Sequence, residues 1–209
     1  MRSTFYPPQK YSGHLWANMK IGLLGGSFNP AHDGHRHISL MAMKLLNLDA
    51  IWWMVSPQNP LKSTKDMASL EQRIKSAKDV SNHPKIIVSD IETQLGTQYT
   101  ADTLHALTQR FSRTNFVWLM GADNLHQIHK WQGWKKIFNT IPIAVFDRPP
   151  YGQSVTKAMA AEYFQQNFLS ETDAKLLVNT KVPSWTMLHI PLHPLSATEI
   201  REKQKSSTS

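Results

Sequence analysis

Two histidines three residues apart, His32 and His35, follow a paired glycine in the run Gly25-Gly26-Ser27-Phe28-Asn29-Pro30-Ala31-His32-Asp33-Gly34-His35. Paired glycines let backbone N–H groups approach a phosphate closely, and a helix start adds partial positive charge. Spacing of three places both imidazoles on one side of a first helical turn. Gly34 between them adds no side chain and leaves room for a ligand. The run is neither G-x-G-x-x-G nor G-x-x-x-x-G-K-[ST], so the dinucleotide-fingerprint and P-loop readings fail. Two plainer readings stand beside the phosphate one. The histidines could simply cap a helix, or His32, His35 and His37 could hold a metal. Against the metal, His37 leaves the shared face and no carboxylate is spaced to complete the site.

Such a loop needs a strand before it and a helix after it, and the chain supplies both. Lys20 to Gly25 is an apolar run stopped by Gly25-Gly26. His37 to Leu48 then spaces Ile38, Met41, Ala42, Leu45 and Leu46 as one helical face. Further strands are predicted over Ala50–Val55, Lys85–Val88, Asn115–Met120, Ile141–Phe146 and Met187–Ile190, with helices over Ser69–Val80 and Thr100–Phe111. A closing helix over Ser196–Lys203 has Ser196 as N-cap and Glu199 three residues on, a capping box. Strands alternating with helices predict an α/β fold with a doubly wound parallel sheet. Ligands of such sheets sit at the carboxyl ends of the strands.

The composition of the 209 residues narrows the class. With 41% hydrophobic residues and 18% charged the chain can bury a core, and no run of 18 apolar residues exists to span a membrane. The absence of cysteine excludes disulfides, thiolate zinc sites and a cysteine nucleophile, and fits a reducing, cytoplasmic compartment. The surplus of 23 Lys+Arg over 15 Asp+Glu gives +8 and points to anionic partners. Residues 1–18, rich in Pro, Tyr and Ser, have neither an apolar signal core nor a helical period, and are expected to lie outside the fold as an extension. The expected domain is 19–203, with 204–209 a tail.

The glycine–histidine run resembles the G-G-[ST]-F-[DN]-P-x-H-x-G-H motif of the nucleotidyltransferase superfamily, matching at Gly25, Gly26, Ser27, Phe28, Pro30, His32, Gly34 and His35. Leu195-Ser196-Ala197-Thr198-Glu199-Ile200-Arg201 is similar to the second motif of that superfamily. Three further stretches resemble the bacterial nicotinate-nucleotide adenylyltransferases within it. Gly121-Ala122-Asp123-Asn124-Leu125 with Trp131 and Trp134 is similar to their G-x-D-[SN]-L-x(5)-W block. Tyr99-Thr100-Ala101-Asp102-Thr103-Leu104 is similar to S-Y-T-x-[DE]-T-L, with Gln98 in place of serine. Asn59-Pro60-Leu61-Lys62 resembles their lysine loop, with leucine where a histidine often stands. The likeness runs from about Met19 to Lys203.

The resemblance implies a Rossmann-like nucleotidyltransferase fold and transfer of AMP from ATP, accompanied by Mg2+, to nicotinate mononucleotide. The implied catalytic residues are His32, His35 and Arg201. ATP would meet Gly25, Gly26, Ser27, Phe28, Lys62, Gly121, Asp123, Ser196 and Thr198, and the acceptor would meet Thr100 and Trp131. No resident metal, nucleic acid or membrane is implied. Adenylyl transfer has the matching demand: a phosphate already anionic at pH 7 attacks the α-phosphorus, so donors are needed and a general base is not. A pyridinium ring stacks well on tryptophan, with Trp134, three residues on and expected on the same helix face, as the fallback if Trp131 is packing. Asp123 could accept from ribose hydroxyls or cap a helix, and Arg148 could contact phosphate or a carboxylate. His126 and His129 lack a third ligand. Other members of the superfamily, including cytidylyltransferases, and a basic RNA-binding module are the alternatives; against the latter, the basic residues form no stripe.

Overall fold

The computed structural model describes residues 7–9, 11–57, 67–147 and 158–191. Among the described residues seven strands form one sheet: β1 (Lys20–Gly26), β2 (Ala50–Val55), β3 (Ile86–Ser89), β4 (Asn115–Gly121), β5 (Ile143–Asp147), β6 (Phe168–Leu169) and β7 (Trp185–His189). Their order is β3-β2-β1-β4-β5-β7-β6 and every pairing is parallel. The chain winds outward from β1 through β2 to β3, then returns to the other side of β1 with β4. That reversal opens a crevice between the carboxyl ends of β1 and β4, where doubly wound sheets bind ligands.

Both sheet faces are buried, so the strands read as continuous apolar runs with alternate residues in opposite cores. Trp52 and Met54 of β2 and Phe116, Trp118 and Met120 of β4 enter one core; Ile51, Trp53, Val117 and Leu119 enter the other. On the second face lie α1 (Asp33–Leu46), α2 (Leu70–Ser81) and a 3-10 segment (Glu171–Asn179). Ile38, Ala42 and Leu46 give α1 its buried stripe, and Asn47 closes it in the left-handed conformation. The first face carries α3 (Ile91–Leu95), α4 (Thr100–Arg110), α5 (Ala122–Gln127), α6 (Trp134–Thr140) and α7 (Met159–Tyr163). Of these only α4, the longest, is predicted from its periodicity.

The expectation for residues 1–18 needs correction. Gly13–Trp16 is a 3-10 turn whose Trp16 is only 3% exposed, edge-on to Trp52 at 4.8 Å. The Asn18 N–H donates to the Arg113 carbonyl at 2.6 Å, and the Thr114 hydroxyl to that of Trp16 at 2.9 Å. The packed unit therefore starts ahead of Met19. A single tryptophan seated in the core ties a segment down without any helical period. The closing helix and tail expected beyond residue 191 lie outside the described residues. So do Lys62, Arg148, Ser196, Thr198 and Arg201.

Candidate active site

The glycine–histidine run leaves β1 at its carboxyl end and enters α1. The register Leu24↔Leu119 brings Gly25 and Gly26 level with the end of β4, at the mouth of the crevice. Gly25 has a packing reason beyond any ligand: a Cβ there would fall 2.4 Å from Cη2 of Trp118. At Gly26 the nearest atom would be 3.5 Å away, an ordinary contact. Phe28 then turns through φ 46, a left-handed conformation that is uncommon for an aromatic residue. Its ring is buried and stacks on Trp53 at 5.1 Å. Burial of the ring holds the turn.

His32 is the N-cap of α1, as the capping reading expects. The Gly34 N–H donates to His32 Nδ1 at 3.1 Å, and the His32 N–H donates to His35 Nδ1 at 3.2 Å, a reciprocal capping box. The two rings lie 3.9 Å apart, centroid to centroid, on one side of the first turn. Because each Nδ1 accepts from the backbone, each neutral ring carries its proton on Nε2. The cap thereby selects the tautomer that makes both side chains donors at their outer edges. His37 does leave the shared face, as its spacing predicts: its Nε2 lies 3.0 Å from the Pro191 carbonyl oxygen.

Two buried charged side chains beside this loop carry no motif signal. Arg73, on α2, is 2% exposed, and Glu92, on α3, is 6% exposed. Burial pushes the Glu92 carboxyl up to about 7, partly opposed by a hydrogen bond with the Ser56 side chain. Ser56 follows β2, and its N–H donates to the Gly26 carbonyl at 2.9 Å.

Across the crevice, β4 ends at Gly121, which is the N-cap of α5; Asp123 is in the first turn and not the cap itself. Thr100 is the first residue of α4, whose N-cap Tyr99 supplies no side-chain bond. Trp131 leaves the 3-10 turn Ile128–Lys130 in extended backbone, half-buried against the first core. Gly133 follows at φ +66, and a Cβ on it would lie 3.1 Å from that of Ala101. This close approach sets the Trp131 loop against the N-terminus of α4, bringing Thr100 and Trp131 to the same corner. Trp131 and Trp134 do not share a helix face, because α6 begins only at Trp134. Trp134 packs among Phe138, Tyr163 and Phe164, with centroids 5.5 to 6.3 Å away, and lies partly buried against the first core. Among the described residues, no group of three His, Cys, Asp or Glu could hold a metal ion, and no helix is long and apolar enough to cross a membrane.

Known proteins resemble this chain in sequence and in fold. The cytidylyltransferase-like family matches residues 23–203. A probable nicotinate-nucleotide adenylyltransferase of Parvibaculum lavamentivorans is 50% identical over 189 residues, 90% of this chain and 94% of the relative. One from a Bradyrhizobium species is 46% identical over 188 residues, 90% of this chain and 98% of the relative. In fold, the chain is similar to Plasmodium falciparum nicotinic acid mononucleotide adenylyltransferase complexed with NaAD. There the TM-score is 0.66 at 18% identity, covering 88% of this chain and 83% of that one. The broad family carries the cytidylyl name, but relatives spanning nine tenths of the chain are of the adenylyl kind, and this chain belongs to the nicotinate-nucleotide adenylyltransferase family.

Proposed function

We propose that the chain transfers the adenylyl group of ATP to nicotinate mononucleotide, releasing pyrophosphate and forming deamido-NAD, a step of NAD biosynthesis. The observation that carries the reading is the imidazole pair, 3.9 Å apart at the start of α1 with both Nδ1 atoms committed to the backbone. An oxygen of the acceptor's phosphate attacks the α-phosphorus of ATP in line. One P–O bond forms, the α–β bridge breaks, and its electron pair leaves with pyrophosphate. The nucleophile is already ionised, so the work of the chain is to hold two polyanions and stabilise the charge on equatorial and leaving oxygens.

His32 and His35 donate through Nε2 to that charge, beside the backbone amides of Gly26 to Phe28. Lys62, Ser196, Thr198 and Arg201 complete the phosphate-binding set by their place in the two motifs. Gly121 lets the nucleoside approach the β4 end and Asp123 accepts from a ribose hydroxyl. Magnesium enters as part of the ATP substrate, keeping most of its waters. On the acceptor side Trp131 stacks on the pyridinium, and the Thr100 hydroxyl with the first N–H groups of α4 receives the carboxylate. The absence of cysteine fits work in the reducing cytoplasm.

The test is incubation with ATP, magnesium and either nicotinate or nicotinamide mononucleotide, following pyrophosphate. Rapid release with the acid and slow release with the amide is expected. Equal rates would mean that the pocket does not distinguish the two acceptors, a faster rate with the amide would assign the chain to it, and release with neither would reject the reading.

A further inference from the structure

Arg73, in the first turn of α2, is buried with a full guanidinium, and among the described residues its four hydrogen bonds all go to backbone carbonyls. Nη1 donates to Ser27 and to Ser56, each at 2.7 Å; Nη2 donates to Pro57 and Nε to Ala68, each at 3.0 Å. Burying a cation among neutral acceptors is costly, and an apolar side chain would pack α2 at less cost. What the fork achieves instead is a junction of three chain segments: the glycine–histidine loop, the exit of β2 and the entry to α2. Pro57 and Ala68 stand on either side of residues 58–66, the span that contains Lys62. A second bond reinforces the same junction without Arg73, from the Ala68 N–H to Asn29 Oδ1 at 3.2 Å.

The Ser27 contact has a direct consequence for the ligand. In a trans peptide the C=O and the following N–H point in opposite directions. With the Ser27 carbonyl drawn toward Arg73, the Phe28 N–H is turned away from it. That amide is one of the donors assigned to the triphosphate.

We propose that Arg73 is a positioning residue for ATP: its guanidinium fixes the glycine–histidine loop, the exit of β2 at Pro57 and the entry to α2 at Ala68 in one register, and aims the Phe28 amide. The inference rests on the adenylyl-transfer reading only in naming ATP as the ligand. It touches nothing on the acceptor side.

The test is calorimetric titration of wild type and Arg73→Lys with a non-hydrolysable ATP analogue and, separately, with nicotinate mononucleotide, well below each unfolding midpoint. Lysine keeps the charge, but its three donors sit on one nitrogen and cannot reach all four carbonyls that the planar fork spans. The expected result is analogue binding weakened roughly 10- to 100-fold, with acceptor affinity within threefold of wild type. A folded variant with analogue affinity within threefold of wild type overturns the proposal. So does an equal loss toward both ligands, which would mark a purely structural role. Should Arg73→Lys not fold, Asn29→Ala loosens the same junction and decides by the same criterion, with a smaller loss confined to the analogue. Wild type that binds the analogue yet releases no pyrophosphate with nicotinate mononucleotide would reject the activity and leave this comparison standing.

Discussion

The two walls of the crevice are built from different materials. The β1 wall is held by polar bonds: a reciprocal histidine cap, a buried guanidinium on four carbonyls, and a buried carboxyl beside Ser56. The α4–α6 wall is held by shape, with Trp134, Phe138, Tyr163 and Phe164 packed edge and face, and Gly133 pressed against Ala101. The ligands proposed for each account for the difference. A triphosphate needs N–H groups aimed to within a fraction of an ångström, and hydrogen bonds fix direction. A flat pyridinium needs a surface, and packed rings fix position. Losses on the first wall should therefore fall on rate and ATP, and losses on the second on the acceptor.

The largest effect that tests this division is acceptor choice. A pocket of donors around Thr100 pairs both oxygens of the acid but meets the amide donor to donor, leaving a buried group unpaired at about 1–3 kcal/mol per group. Preference for the acid of roughly 10²–10⁴ in kcat/KM is expected. Thr100→Val should narrow that ratio, whereas Trp131→Ala should weaken both acceptors and leave it largely intact. Steady-state kinetics with the two mononucleotides would show it, and a ratio collapsed by Trp131→Ala would move specificity onto the tryptophan.

Next in size is the histidine pair. His35→Ala should lower kcat roughly 10²–10³-fold, with a stability loss of about 1 kcal/mol for the broken cap. His32→Asn separates the two roles, because asparagine caps well but cannot present an imidazole Nε2–H. The unfolding midpoint should hold while turnover falls as far as in His35→Ala. If His32→Asn restores turnover along with the midpoint, the residue is a cap and nothing more.

Glu92 gives the polar wall a pH signature. Its folded pKa of about 7 stands above the ordinary 4.5. Between those values the folded state keeps a proton that the unfolded chain has released, so stability falls as pH rises through this window and levels above it. Glu92→Gln should match wild type below pH 4.5 and gain on it toward and beyond pH 7, by roughly 3 kcal/mol. Denaturant unfolding across that range is the measurement; parallel curves for the two proteins would place the carboxyl in an ordinary environment.

The smallest effect lies where the walls meet. Gly25→Ala forces a Cβ against Trp118 and should cost about 1–3 kcal/mol of stability. Gly26→Ala, with ordinary contacts only, should unfold close to wild type and lose ATP affinity instead. Similar unfolding midpoints for both would mean that the Trp118 ring yields.

Much of this was legible in the chain itself, because the signals are local. Strand β2 is predicted at Ala50–Val55 and found there, since an apolar run bounded by turn residues needs no distant partner. The histidine spacing determines that both rings share a turn, and the paired glycines end the β1 run where the structure ends the strand. Tertiary structure alone decided the rest. The four acceptors of Arg73 lie 5, 16, 17 and 46 residues away, so no window of sequence contains the junction. Helices of five to seven residues, such as α3, α5 and α6, are too short to show a period, so Trp134 could be taken for a continuation of Trp131. Trp16 carries no periodic signal, and its place in the core comes from residues distant in sequence, Trp52 among them. Patterns repeat along a chain, but burial depends on what folds back against it, and long-range packing sets that.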